Sequence, residues 1–273
     1  MNSIKNRLSK KMHNFYNKIP EFLEEKRLNL FDLQKTQEKK NLETEKIIDI
    51  KELGGGMHET SIVTFANGEK GVFKPKSGEV SNDLHYETKA GSYYKREEAA
   101  YIVDRFFDFD LVPATVNREI NGEEGSLQRF VPNAFLGYEY ESYKDKKDDE
   151  KYEKELMKLW IFDLIIWSTD RHGKGFLVKR GKIYAIDNGF SFGDDFWRKS
   201  RDYFDKPIPG EIVDKFKKFF ENKDENEKIL RTALENLLDK EEIDACIKRI
   251  NKIGSLIING VIPKKEESNL KYK

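Results

Sequence analysis

Apolar positions along the chain follow two spacings, and turn residues separate them. Short β-branched and aromatic runs, Ile62-Val63-Thr64-Phe65 and Gly71-Val72-Phe73-Lys74-Pro75, follow the glycine run Gly54-Gly55-Gly56 and flank Asn67-Gly68. This order predicts strand, glycine-rich turn, strand, tight turn, strand. The Asn67-Gly68 pair predicts a type I′ turn, which needs positive φ at both central residues. From Tyr94 onward the spacing becomes helical: Ala99, Ile102, Val103, Phe106 and Phe107 recur on one face. Strand-like runs return at residues 112–116 and 126–131 around Asn121-Gly122, and at 176–178 and 182–186 around Lys179-Arg180-Gly181. Residues 152–168 predict a helix. Residues 211–221, 226–239 and 241–258 predict three amphipathic helices, with Ile229, Leu230, Ala233, Leu234, Leu237 and Leu238 as core.

The first 48 residues are highly charged and predict helix. Ile4, Leu8, Met12, Phe15, Tyr16 and Ile19 trace an apolar stripe before Pro20. That stripe packs on its own domain or meets a partner or membrane surface. Residues 35–45 are polar and read as a link to the first strand. Asp83–Ser92 reads as a loop, and residues 144–155 as a solvated run opening the 152–168 helix. The tail from Pro263 is charged and predicts fraying.

The candidate chemistry lies in two acids. Asp170 precedes the 176–178 strand and Asp187 follows the 182–186 strand, so the hairpin brings both carboxylates to one edge. Phosphoryl transfer from a nucleotide uses such a pair, one acid at the incoming hydroxyl and one on Mg²⁺. Three glycines let backbone N–H groups approach phosphates closely. The pattern is not G-x-x-x-x-G-K-[ST], so a Walker-type loop is disfavoured. Lys74 in the next strand can reach phosphate, and Glu97 or Glu98, early in the following helix, can pair with it. Asp163, inside the apolar stretch 159–167, reads as a paired structural acid.

Taken in order, the glycine-rich hairpin, Val72-Phe73-Lys74-Pro75, Arg96-Glu97-Glu98-Ala99-Ala100-Tyr101, Asp170-Arg171-His172 and Ile186-Asp187-Asn188-Gly189 resemble the atypical kinases related to phosphatidylinositol 3- and 4-kinases. HipA-like and Fam20-type kinases are more distant relatives in this comparison. The resemblance covers residues 51–200. It implies an α+β, bilobal protein-kinase-like fold, with a small β-rich N-lobe over 51–132 and a mostly helical C-lobe over 133–273; residues 1–50, which carry no family motif, read as a helical extension.

It also implies ATP as cofactor, with Mg or Mn. Gly54, Gly55, Gly56, Thr60, Ser61, Lys74 and Glu97 would face the nucleotide, with Glu97 preferred to Glu98 as the partner of Lys74. Gln128 and Phe130 fall at the hinge that binds adenine. Asp170 becomes the acid at the acceptor hydroxyl, supported by Arg171 and His172, and Asp187 the metal ligand. The family pattern has Asn where this chain has Gly175, so Asn188 is a candidate replacement ligand. The implied activity is transfer of the γ-phosphoryl group to a hydroxyl, a protein Ser/Thr first. The alternatives are a catalytically inactive nucleotide-binding module, a lipid or small-molecule kinase, and AMP transfer. Phe196, Trp197 and Arg198 fall in the substrate-loop position, where they cover a substrate or plug the large lobe.

Composition narrows this little further. Lys plus Arg equals Asp plus Glu at 50 each among 273 residues, which argues against a dominant nucleic-acid or membrane electrostatic mode. The single Cys246 sits among Ile243, Ile247 and Ile250 and reads as a core thiol. His13, His58 and His85 have no ligand spacing. The first twenty residues predict no signal peptide, no stretch predicts a membrane span, and the expected location is cytoplasmic.

Overall fold

The structure is a computed structural model that describes residues 37–53, 59–79, 92–143, 149–193 and 207–260. The expectations for the first 36 residues, for Gly54, Gly55, Gly56, His58 and His85, for the loop with Phe196, Trp197 and Arg198, and for the tail lie outside these.

A short helix, α1 (Gln37–Thr44), leads into β1 (Ile47–Leu53), β2 (Thr60–Phe65) and β3 (Lys70–Pro75). The sheet starts inside the stretch expected to be helical, because Ile47, Ile48 and Ile50 favour a pleated backbone. Helix α2 (Tyr93–Phe107) follows, then β4 (Thr115–Ile120) and β5 (Glu123–Arg129). The five strands form one antiparallel sheet in the order β1-β2-β3-β5-β4. Gly125 lies opposite Pro75, where a Cβ would stand 2.4 Å from the Lys74 carbonyl and against the Phe73 ring. Glycine there lets β5 close on the strand that carries Lys74.

The two-residue turns divide. At Asn121-Gly122 and at Arg180-Gly181 both residues have positive φ, as type I′ requires. At Asn67-Gly68 only Gly68 does. The type I′ expectation is corrected there: the Asn67 carboxamide accepts from the Glu69 N–H at 2.9 Å, and Phe65 N–H reaches Glu69 O at 2.9 Å, giving a longer loop with glycine at its left-handed position.

Helix α2 lies on the sheet through Ala99, Ala100 and Val103, all fully buried. The Glu79 carboxylate accepts from Tyr94 N–H at 2.8 Å and satisfies a free donor of its first turn. The helix stops at Asp108, whose φ is 51°. Beyond β5 come β6 (Phe135–Leu136), α3 (Gly137–Tyr143), α4 (Asp149–Ile166), β7 (Phe176–Lys179) and β8 (Lys182–Ala185). Strands β6, β7 and β8 make a second, three-stranded antiparallel sheet.

Helices α5 (Gly210–Glu221), α6 (Lys223–Leu234) and α7 (Lys240–Ile258) complete the helical part. Helix α6 ends five residues before the expected 239. Asp239 and Glu242 form a capping box that starts α7, so Leu237 and Leu238 fold into the connecting turn. Phe107 at the end of α2 packs against Phe109, Phe216 and Phe219, joining the sheet-bearing half to this helical layer. Buried Arg249 of α7 donates to Ile165 O at the end of α4 and to Gly193 O, each at 2.9 Å. It thereby satisfies a helix-end carbonyl that has no intrahelical partner. Among the described residues no helix is long and apolar enough to cross a membrane.

Candidate active site

The hairpin of β7 and β8, strand β3 and helix α2 converge on one cluster. Lys74 Nζ stands 2.5 Å from Glu97 Oε1 and 3.0 Å from Asp187 Oδ1. Of the two adjacent glutamates, Glu97 meets the lysine. Glu98 turns away to Lys39 and to Asn117 N–H. Glu97 is nearly buried, at 4 % side-chain exposure, whereas Asp187 is 46 % exposed. Burial alone would lower the pKa of Lys74. The carboxylates of Asp187 and Glu97 outweigh it and hold the ammonium well above its usual range. Lys74 is therefore a fixed cation.

The second oxygen of Glu97 accepts from the backbone N–H of Asn188 at 3.0 Å. One glutamate thus ties the lysine strand and the Asp187 segment together. Asp187 itself has φ 59°, an uncommon conformation for a non-glycine residue. Two features of its neighbours hold the segment in place. A Cβ on Gly189 would lie 3.1 Å from Tyr93 Cβ, so the chain presses directly on α2. Phe190 packs at a tilt against Tyr93, ring centroids 4.8 Å apart, and its carbonyl accepts from both Thr169 N–H and the Thr169 hydroxyl. Thr169 precedes Asp170, so the two acid-bearing segments are hydrogen-bonded to each other.

Arg171 organises the rest. Its guanidinium meets Asp163 of α4 at 3.0 Å, the Ile186 carbonyl at 2.6 Å, the Asn188 amide oxygen at 2.6 Å, and the Gly175 carbonyl. Asp163 is a paired acid, and its partner is the loop arginine. Asn188 is fully buried with its oxygen committed to Arg171. That bond uses one of the two lone pairs of the amide oxygen. His172 Nδ1 accepts from Lys174 N–H at 3.0 Å, which leaves the proton on Nε2. That Nε2 lies 3.8 Å from Asp170 Oδ2, beyond hydrogen-bond distance. Asp170 and His172 are both partly exposed, at 37 % and 48 %.

Thr60 and Ser61 open β2, half-buried, with Ser61 opposite Phe73. The hinge residues sit differently from expectation. Gln128 is inside the sheet, between Val72 and Thr115, and its side-chain amide donates to Thr115 Oγ1. Phe130 N–H donates to Lys70 O at 3.0 Å. The strand pairing continues through Phe130, so the chain leaves the sheet at Val131. Among the described residues no group of three His, Cys, Asp or Glu is poised as a complete metal site. A single accessible carboxylate beside a lysine suits Mg²⁺, which takes one or two protein carboxylates and completes its shell with phosphates and water.

The sequence reading missed Thr169, Glu79 and the Glu98–Lys39 pair. Thr169 was detectable only as a neighbour of Asp170. The other two act across gaps in sequence that carry no spacing signal.

No protein-family model matches the chain, and no curated protein does. Solved structures do. The crystal structure of the Golgi casein kinase with Mn/ADP bound is 18 % identical at a TM-score of 0.56, covering 80 % of this chain and 74 % of that one. The crystal structure of the Golgi casein kinase aligns equally well, with 18 % identity and 81 % and 75 % coverage. The structure of hydra Fam20 with sugar is 17 % identical at a TM-score of 0.57, covering 81 % and 87 %. The chain has the α+β kinase-like fold of these neighbours. They are Fam20-type structures, the group the sequence placed further off than the phosphatidylinositol kinases.

Proposed function

We propose that the chain is a metal-dependent phosphotransferase that moves the γ-phosphoryl group of ATP to a hydroxyl, with a protein Ser/Thr as first acceptor. The observation that carries it is the Lys74–Glu97–Asp187 cluster, assembled from a strand, a helix and a loop within 3.0 Å. The likeness to a kinase structure holding Mn and ADP supports the nucleotide.

In this reading Lys74 binds α- and β-phosphate oxygens, held in place by Glu97. Asp187, 46 % exposed, would hold a divalent cation, which would supply neutralisation of phosphate charge. Asp170 accepts the acceptor hydroxyl proton as the new O–P bond forms and the bond to the β-phosphate bridging oxygen breaks, releasing ADP. His172, whose Nε2 stands 3.8 Å from Asp170 Oδ2 and which is 48 % exposed, donates to the transferring group. Arg171 does not reach the substrate; it fixes the loop. Most of the acceleration then comes from positioning and electrostatics.

One observation favours a second reading, nucleotide binding without transfer. Gly175 has no side chain to give a metal, and Asn188 is held by Arg171. Incubation with ATP labelled at the γ- or α-phosphate, with Mg²⁺ and with Mn²⁺, separates the readings. Incorporation of γ-label alone supports phosphoryl transfer, α-label shows AMP transfer, and binding without incorporation gives the second reading. Thermal stabilisation by Mg²⁺-ATP should shrink in Asp187→Ala. No binding at millimolar nucleotide overturns the proposal.

A further inference from the structure

Three consecutive residues of α2 each leave the helix for a different element. Arg96, 2 % exposed, ion-pairs with Glu242 of α7. Glu97 meets Lys74 and the Asn188 N–H. Glu98 Oε1 accepts from Lys39 of α1 at 2.7 Å, and its Oε2 from the β4 backbone at Asn117 N–H, 2.9 Å. Successive helical residues are about 100° apart, so these three side chains span about 200° of the circumference. Pulls from such directions fix rotation about the helix axis as well as position along it. A turn of one residue would present Arg96 or Glu98 to Lys74 in place of Glu97.

Both flanking anchors are themselves fastened. Glu242 caps its own helix, its other oxygen accepting from Asp239 N–H at 2.8 Å. Helix α1, only eight residues long, would be marginal alone. It is held by buried Leu42 and by Arg118 of β4, whose guanidinium donates to Leu42 O at 2.7 Å and Glu45 O at 3.0 Å. Lys39 side-chain exposure is 5 % and that of Glu98 13 %, so their charges are paired out of water. A buried pair of this kind costs desolvation and is weak evidence for stability, but it constrains geometry because breaking it strands a charge.

We propose that Arg96 and Glu98 are positioning residues that hold Glu97 in its lysine-engaged register, with α1 and α7 as the anchors. This rests on the phosphotransferase reading for its kinetic consequence only. Helix α1 then belongs to the catalytic apparatus, and the Lys74–Glu97 pair is assembled by the fold without a separate activation event.

The test is a kinetic double-mutant cycle in the full chain. Lys39→Met should lower kcat about tenfold while the KM for ATP changes less than twofold. In a Glu97→Gln background the same substitution should lower kcat less than twofold, because the loss acts through Glu97. A general loss of structure would give the same fold-change in both backgrounds. Lys39→Arg should restore most of the rate. Glu98→Gln, which keeps an acceptor for Asn117 N–H, provides a milder variant should Lys39→Met not fold. Equal losses in both backgrounds, or unchanged kcat in both variants, overturn the proposal. Amide hydrogen exchange over residues 93–107 gives an activity-free readout. It should rise in Lys39→Met, and unchanged exchange overturns the clamp. A wild type that transfers no phosphate, together with that rise in Lys39→Met, refutes the phosphotransferase reading and leaves the clamp standing.

Discussion

Asp104 should make the stability of this protein fall as pH rises through neutrality. It lies near the end of α2 with 0 % exposure. One carboxyl oxygen accepts from Leu111 N–H at 2.9 Å, and the other has no hydrogen-bond partner. Burial raises its pKa from 3.8 to about 7, although the N–H groups of Leu111 and Val112 pull the other way. The folded state therefore holds a proton that the unfolded chain has released. That contribution is fully present below pH 3.8 and is lost as pH climbs through about 7. A rise of about three pH units at ~1.4 kcal/mol each gives about 4 kcal/mol in all, of which roughly 3 kcal/mol falls between pH 5 and 8. Asp104→Asn keeps the acceptor for Leu111 and stays neutral throughout. Urea unfolding of both proteins at pH 5 and 8 should show near-equal stability at the lower pH and a variant more stable than wild type at the higher. Parallel pH dependences would refute the reasoning, since every other titrating group is shared.

Three further outcomes test the site. Asp170→Ala should cut kcat by roughly 10²–10⁴ while leaving nucleotide affinity within about twofold, measured by steady-state kinetics and calorimetry. Arg171→Lys should lose several of the bonds to Asp163, Ile186, Asn188 and Gly175 and destabilise the fold by about 1–3 kcal/mol in urea titration, because an ammonium keeps the charge but cannot reproduce the planar fork. Gly175→Asn meets no positive φ, and its Cβ would stand 3.3 Å from Arg171 Nη1, so the bonded guanidinium must give by a few tenths of an ångström. The variant should reach half-maximal activity at lower Mg²⁺ than wild type, and reduced activity at every metal concentration would overturn the missing-ligand account.

The fold was legible where one local signal decided it. Strands β2 and β3 follow period-two runs. Helix α2 follows its helical stripe, and the Arg180-Gly181 turn its residue types. Legibility failed where a side chain competed with the backbone pattern. The Asn67 carboxamide bonded Glu69 N–H and so redirected a turn whose dipeptide reads as type I′. The Asp239–Glu242 box ended α6 early, although Leu237 and Leu238 continue its stripe. Gln128 and Phe130 show the same kind of limit: the run 126–131 reads as a strand, but only the Phe130–Lys70 bond shows how far pairing continues.

The site divides along a physical line. The residues proposed to face substrate are exposed or half-exposed polar groups near strand ends, and their type and order make them readable. Residues that hold them are buried, and their partners are distant in sequence: Glu98 is 59 positions from Lys39 and Arg96 is 146 from Glu242. Asn188 carries both marks: it stands next to the candidate ligand Asp187, yet it is buried and its oxygen accepts from Arg171, so it also serves the supporting frame. The same distinction bears on Gly175. The frame around Asp170 and Asp187 closes through Arg171 without any side chain at that position, so the absent ligand leaves the loop geometry intact. Any loss of activity from Gly175 must then appear in metal affinity and not in folding.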